Sequence, residues 1–338
     1  MPEGVTLSLL VVLGLAVAFD YINGFHDTAN SIATSVSTRA LRPGWAIVMS
    51  AVANFAGALT GLAVAETIGS GLIDQAAESQ TVVAAALVGA IVWNLVTWRL
   101  GIPSSSSHAL IGGLLGASLI AAGISSWNIV GIVTKVLVPL VASPFIGFGG
   151  GLLLMALIFN VFRRANPRRL NAVFRRLQVG SAAFMAFSHG SNDAQKTMGI
   201  MTLALVTAGV IDSFEVPLWV ILTAASAISL GTAAGGWRII KTMGQKVVKL
   251  EPVHGFAAET TAATVIFGAS QFGMPVSTTH VISSAIMGVG SSDRLKTVRW
   301  GVARSIVTAW LLTIPASGAT AAIAYLVLST ILRVSGAT

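Results

Sequence analysis

The 338-residue chain contains no cysteine. That excludes a disulfide framework, a thiolate metal site and a catalytic thiol. Charge is nearly as scarce. Asp, Glu, Lys and Arg make up 9% of the residues, against roughly 25% in a soluble domain. No long polar stretch separates the apolar ones, so no soluble domain is expected. There is no GxxxxGK[ST] sequence, so ATP hydrolysis by this chain would have no phosphate-cradling loop. Met1-Pro2-Glu3-Gly4 precedes the first apolar segment where a signal peptide would carry a Lys/Arg cluster, and no small-residue cleavage site follows. Val5 onward is therefore expected to remain as a span.

What the chain does have is apolar sequence: 54% hydrophobic residues and a mean hydropathy of +0.83. Runs long enough for a ~30 Å hydrocarbon core recur at about 44–65, 81–98, 129–162, 216–236, 252–270 and 301–332. The expectation is an all-α polytopic membrane protein. The formal charge of +8 sits mostly in short loops, where it orients spans by the positive-inside effect; no nucleic-acid partner is expected.

The sequence repeats itself. Gly-Ile-Pro-Ser-Ser-Ser-Ser-His (Gly101 to His108) returns as Gly-Met-Pro-Val-Ser-Thr-Thr-His (Gly273 to His280), and Gly24-Phe25-His26-Asp27 returns as Gly190-Ser191-Asn192-Asp193 at a closely matching offset. Loop charge relates the two copies. Arg39 and Arg42 follow the first motif where Asp212 and Glu215 follow the second; then Glu66, Asp74 and Glu78 face Arg238, Lys241, Lys246 and Lys249. Cationic loops stay on the cytoplasmic side, so the halves should cross the membrane in opposite directions. The predicted organisation is a first inverted repeat at 1–162, a cytoplasmic basic linker at 163–176 and a second inverted repeat at 177–338. Each half has five crossings, or ten to twelve spans in all if 129–162, with Pro139 and Pro144, divides in two. Inverted repeats are the usual build of secondary transporters, with the site at their interface.

Segments 5–37 and 178–209 are long for one crossing, since a continuous helix would extend ~45–50 Å. Each is predicted to break at its polar motif, with Asn23-Gly24 and His189-Gly190 as the flexible points, because irregular backbone at membrane depth lines cavities. Pro103 and Pro275, each followed by hydroxyl residues, read as helix N-termini, which bind tetrahedral oxyanions. Ser105, Ser106, Ser107, Ser277, Thr278 and Thr279 could surround such an anion near the midplane. Asp27 and Asp193 cannot hold it directly. They would hold the accompanying proton or Na⁺.

Two stretches, Ile22 to Leu41 and Ser188 to Leu205, resemble the duplicated signature of the PiT family of inorganic phosphate transporters, and the Pro-hydroxyl-His repeats fit it as well. The resemblance covers essentially the whole chain. It implies phosphate uptake by cation symport through an inverted-repeat fold in the prokaryotic plasma membrane, as a homodimer, with no cofactor. By position it assigns Asp27, Asn30, Asp193 and the two hydroxyl triplets to the site, with Na⁺ at Asp27, Asn30 and Asp193 as one option. The motif variants are similar to the bacterial proton-coupled branch. Sodium-coupled eukaryotic members tend to carry a Glu in the following span, and Asn54 to Gly61 and Ala225 to Thr232 hold none. A sodium-coupled symporter, a sulfate permease of the same family and a metal–phosphate complex as substrate remain alternatives.

The other polar residues have two readings each. Asn30 and Gln195 could coordinate the cation or satisfy the broken backbone. Lys196, in the position matching Asn30, could neutralise the anion or pair with an aspartate. His26 could relay a proton or act as an uncharged partner; Asn192, beside Asp193, is auxiliary. His108 and His280 orient the half-helices or take part in proton movement. Glu259, matched by Leu87 in the first half, could join the cation path or bridge to a basic group. Gly112, Gly113 and Gly116 read as close helix packing. An intramembrane Ser-His hydrolase is disfavoured, because Ser107 and His108, as helix neighbours, point about 100° apart. A passive anion channel would have no use for the aspartates.

Overall fold

The computed structural model describes residues 6–70, 72–73 and 79–334; Asp74 and Glu78 of the predicted external loop lie outside them. Helices follow one another in the order α1 (Leu7–Ser37), α2 (Pro43–Ala58), α3 (Ala63–Ser70), α4 (Gln80–Leu100), α5 (Ser106–Ala122), α6 (Ile129–Phe162), α7 (Pro167–Thr207), α8 (Leu218–Ala234), α9 (Trp237–Lys246), α10 (Pro252–Gln271), α11 (Thr278–Asp293) and α12 (Trp300–Val334). Among the described residues there is no β-strand, only an isolated bridge between Ile73 and Trp127.

Local chemistry sets the boundaries. Thr6 caps α1 by accepting from the Leu9 amide at 3.3 Å, Ser79 caps α4, and Asn166 caps α7. Pro43, Pro167 and Pro252 stand at the first helical position, where a missing N–H costs nothing. Gly101 and Gly273 end α4 and α10 with φ of +67° and +64°. This left-handed geometry is why both repeated motifs open on glycine.

Helices α1, α4, α6 and α12 are each long and apolar enough to cross a membrane, and the pairs α2 with α3 and α8 with α9 reach that length and hydropathy together, as broken spans or re-entrant loops bent by 73° and 60°. Helix α6 is one element through Pro139 and Pro144, with a π-helical turn at Ile132–Leu137. Helices α7 and α10 are more polar because protein rather than lipid surrounds their middles. The contacts are reciprocal between the halves. Helix α1 lies on α8 as α7 lies on α2, α5 lies on α12 as α11 lies on α6, and α1 meets α7 between them.

The helices carrying the polar motifs are not broken. Helix α1 is continuous for 31 residues and α7 for 41, contrary to the breaks expected at Asn23-Gly24 and His189-Gly190. The glycines serve crossings instead. A Cβ on Gly24 would lie 2.2 Å from the Ile228 carbonyl oxygen and one on Gly190 2.1 Å from that of Asn54; Gly231 and Gly57 return the contact at 2.0 Å to Tyr21 and 2.0 Å to Phe187. Only glycine lets these backbones approach so closely. The excess length of α7 is taken up by its first turns, where Arg168, Arg169, Arg175 and Arg176 are exposed. Most of the basic stretch 163–176 is thus helix.

Two hydrophobic clusters hold the fold. One joins Leu9 to Phe19 of α1 with Ala194 to Leu205 of α7 and with α3, α4, α5 and α8. The other joins Ala29 to Ala33 of α1 with Phe174 and Met185 of α7 and with α9, α10 and α11. Between them, at 20–27 of α1 and 188–193 of α7, lies a buried polar layer.

Candidate functional site

Helices α1 and α7 run antiparallel through this layer. On α1, Asp20, Asn23, Asp27, Asn30 and Thr34 recur at three- and four-residue steps and share a face; His189, Asp193 and Lys196 do the same on α7. All are at most 1% exposed except Asp27 at 2%. Side-chain atoms of Asp27, His189 and Asp193 lie within 4.8 Å of one another. His189 Nε2 is 3.1 Å from Asp193 Oδ2 and 3.9 Å from Asp27 Oδ2. Its Nδ1 donates to Asn54 Oδ1 at 3.0 Å, because the Asn54 amide nitrogen already donates to Thr232 Oγ1 at 2.9 Å. With Nδ1 committed as donor, Nε2 meets two carboxylates favourably only if a proton or another cation lies there.

His26 Nδ1 sits 2.6 Å from Asp27 Oδ1, and its Nε2 faces Thr97 Oγ1 at 3.1 Å and Ser104 Oγ at 3.4 Å. Lys196 forms an ion pair with Asp193, and its ammonium also donates to Ser107 Oγ and to the Val276 carbonyl at 3.3 Å. Lys196 therefore pairs with an aspartate and touches a hydroxyl of the first half.

The half-helices converge on this cluster. Ser105 and Ser277 are the N-caps of α5 and α11, accepting from the His108 and His280 amides at 3.2 Å each. The helices thus begin three residues after Pro103 and Pro275 rather than at them. Ser107 Oγ donates to the Val276 carbonyl of the opposite half at 3.4 Å. Asn30 donates to Thr278 Oγ1 at 3.2 Å and Thr279 Oγ1 at 2.9 Å, and Thr278 Oγ1 donates to Asp193 Oδ2 at 3.3 Å. Ser106 Oγ and Asn30 Oδ1 are buried without a hydrogen-bond partner among the described residues. Behind the tips the His108 and His280 rings lie 4.9 Å apart, and His280 stacks on Trp310 at 4.0 Å.

Three predicted site residues are drawn elsewhere. Gln195 serves the bend between α2 and α3: its Oε1 accepts from the Val64 amide at 2.9 Å, and its Nε2 donates to the Thr60 carbonyl at 3.3 Å and the Ser191 carbonyl at 2.6 Å. Both ends of its amide are thus engaged by backbone. Asn192 turns to the end of α10 and the loop after it, donating to Ser270 Oγ at 2.8 Å and the Met274 carbonyl at 3.2 Å. Glu259 of α10 is bound by hydroxyls of Thr34 and Ser181 and by Gln178 Nε2 at 3.1 Å. Through Thr34 it lies two turns of α1, ~10 Å, from Asp27.

Two further residues belong to the layer. His189 stands not at a hinge but four residues before Asp193, a spacing that puts both on one face. Asp20 ends the first apolar run seven residues, about two helical turns, before Asp27, a spacing that puts both on one face.

The sequence model described as the phosphate transporter family matches residues 23–170 and 159–321. The chain belongs to this family. It is 49% identical over 328 residues to a probable low-affinity inorganic phosphate transporter of Bacillus subtilis, covering 96% of this chain and 98% of that one. To the protein of the same description from Rhizobium meliloti it is 50% identical over 325 residues, covering 95% and 97%. Among solved structures, one titled the sodium-dependent phosphate transporter superposes with a TM-score of 0.87 at 27% identity, covering 97% of this chain and all of that one. As a family member with these helices, the chain is a multi-pass protein of the plasma membrane.

Proposed function

We propose that this protein imports inorganic phosphate by proton symport, with the site alternately open to either side as the two halves exchange conformations. The observation that carries this reading is the convergence of the α5 and α11 N-termini, one from each half, on the buried Asp27–His189–Asp193–Lys196 cluster. Ser106, Ser107, Thr278 and Thr279, with the free amides of two first turns, are the groups suited to a tetrahedral oxyanion. Lys196 supplies positive charge beside it. Asp27 and Asp193 would repel a bare anion, so phosphate and cation enter together, and this mutual requirement is the physical content of symport.

Sodium at Asp27, Asn30 and Asp193 is the second reading, favoured by the close approach of the Asp27 and Asp193 oxygens and by the relative described as sodium-dependent. Uptake of labelled phosphate into proteoliposomes under imposed proton or sodium gradients, with sulfate as competitor, separates the two. An imposed proton gradient is expected to drive accumulation, and Asp27→Asn to abolish it. Uptake indifferent to both gradients would end the coupling proposal.

A further inference from the structure

Asp20 is the one acid of the polar layer to which the symport reading assigns no task. It is completely buried in α1, and neither carboxylate oxygen has a hydrogen-bond partner among the described residues. Such a group is expensive in an ionised state, by several kcal/mol, so its environment calls for a bound proton or another cation. The groups facing it are Thr197, Asp193, His189 and Lys196, all on α7. Helices α2 and α8 bring no titratable residue to α1, and α4 brings only Arg99 in its last turn. Neighbouring Asn23 Oδ1 and Thr197 Oγ1 are likewise buried without partners, so three unsatisfied polar groups adjoin one another.

Its place along α1 gives it a direction. Helix α1 ends at the loop carrying Arg39 and Arg42, the cytoplasmic side by charge. Thr34, which binds Glu259, lies two turns from Asp27 toward that side, and Asp20 lies two turns away from it, each step ~10 Å. Buried carboxyls thus mark α1 at three levels, with the Asp27–Asp193 pair in the middle. The repeat does not produce the outer one: Ala186 occupies the position in α7 that matches Asp20.

We infer that Asp20 is the outer proton site of the coupling path, a role that rests on the symport reading above. A carboxylate oxygen of Asp20 takes a proton from a hydronium ion entering from the external side, releasing water. It later gives that proton to a carboxylate oxygen of the Asp27–Asp193 pair as phosphate binds, one O–H bond breaking as the other forms.

The test uses wild-type, Asp20→Asn and Asp20→Glu proteins in liposomes. One arm measures labelled phosphate accumulation driven by an inside-alkaline pH gradient, and the other measures counterflow of labelled phosphate with no gradient. For Asp20→Asn, accumulation is expected to fall about tenfold or more, with counterflow within about twofold of wild type. Its uptake should also lose its dependence on external pH. Asp20→Glu should retain both activities. Wild-type accumulation by Asp20→Asn overturns the assignment, and so does loss of counterflow in both variants, which marks a structural role. A wild-type protein that ignores the pH gradient removes the symport reading itself, whereas failure confined to the variant leaves symport standing.

Discussion

Lys196 shows how much one side chain determines in this site. It is 1% exposed, paired with a fully buried Asp193 and in contact with Ser107 of the other half. Removing one partner of a buried pair strands the other charge, at a cost of about 3–5 kcal/mol, while neutralising both is far milder. Lys196→Met is therefore expected to lower the unfolding temperature of the detergent-solubilised protein markedly. The double variant Asp193→Asn/Lys196→Met should recover most of that loss without recovering transport, and a differential scanning experiment beside a proteoliposome assay reads both. Asp27, Asp193 and the two hydroxyl triplets stand out in the sequence because repetition singles them out, whereas Asn30 has no copy, Lys196 standing in its place. Gln195 and Asn192 could not be placed, since an amide's partner depends on which backbone happens to lie opposite.

At the crossings of α1 with α8 and of α2 with α7, helices come together through backbone contact. Gly57 and Gly231 lie against carbonyl oxygens of α7 and α1 at 2.0 Å from an added Cβ, and no rotamer change relieves a collision with backbone. Gly231→Ala is expected to reduce the yield of folded protein severely. Gly14→Ala, in the same α1 but with nothing within 4 Å of its added Cβ, should be neutral or stabilising by up to about 1 kcal/mol. Size-exclusion profiles and melting curves of the two variants would decide it. The difference between the breaks expected in α1 and α7 and their continuous helices has its origin here. A glycine beside polar residues signals either a hinge or a crossing, and only the neighbour that approaches it tells which.

Across the whole molecule, α1 packs on α8 as α7 packs on α2, and loop charge predicts that the two halves cross the membrane in opposite directions. The topology is open to direct measurement because the native chain has no cysteine. Single cysteines at the exposed positions Arg176 and Glu215 should react with a membrane-impermeant maleimide from opposite sides of intact cells. Labelling of both from the same side would contradict the opposed orientation of the halves. The same cysteine-free background allows paired positions on α5 and α12 to be cross-linked, and a bridge that locks those helices is expected to stop uptake while leaving the protein folded.

By itself, the sequence determined the membrane-embedded helical architecture, the duplication, the capped half-helices and the paired aspartates. These follow from composition, period and cap chemistry, which act within a few residues of one another. Tertiary structure alone decided that α1 and α7 run unbroken, that His189 bridges the acids, that Gln195 and Asn192 face away, and that Asp20 is buried without a hydrogen-bond partner among the described residues. Each of those outcomes depends on what a distant helix presents across a gap of a few ångströms, and spacing along the chain carries no record of it.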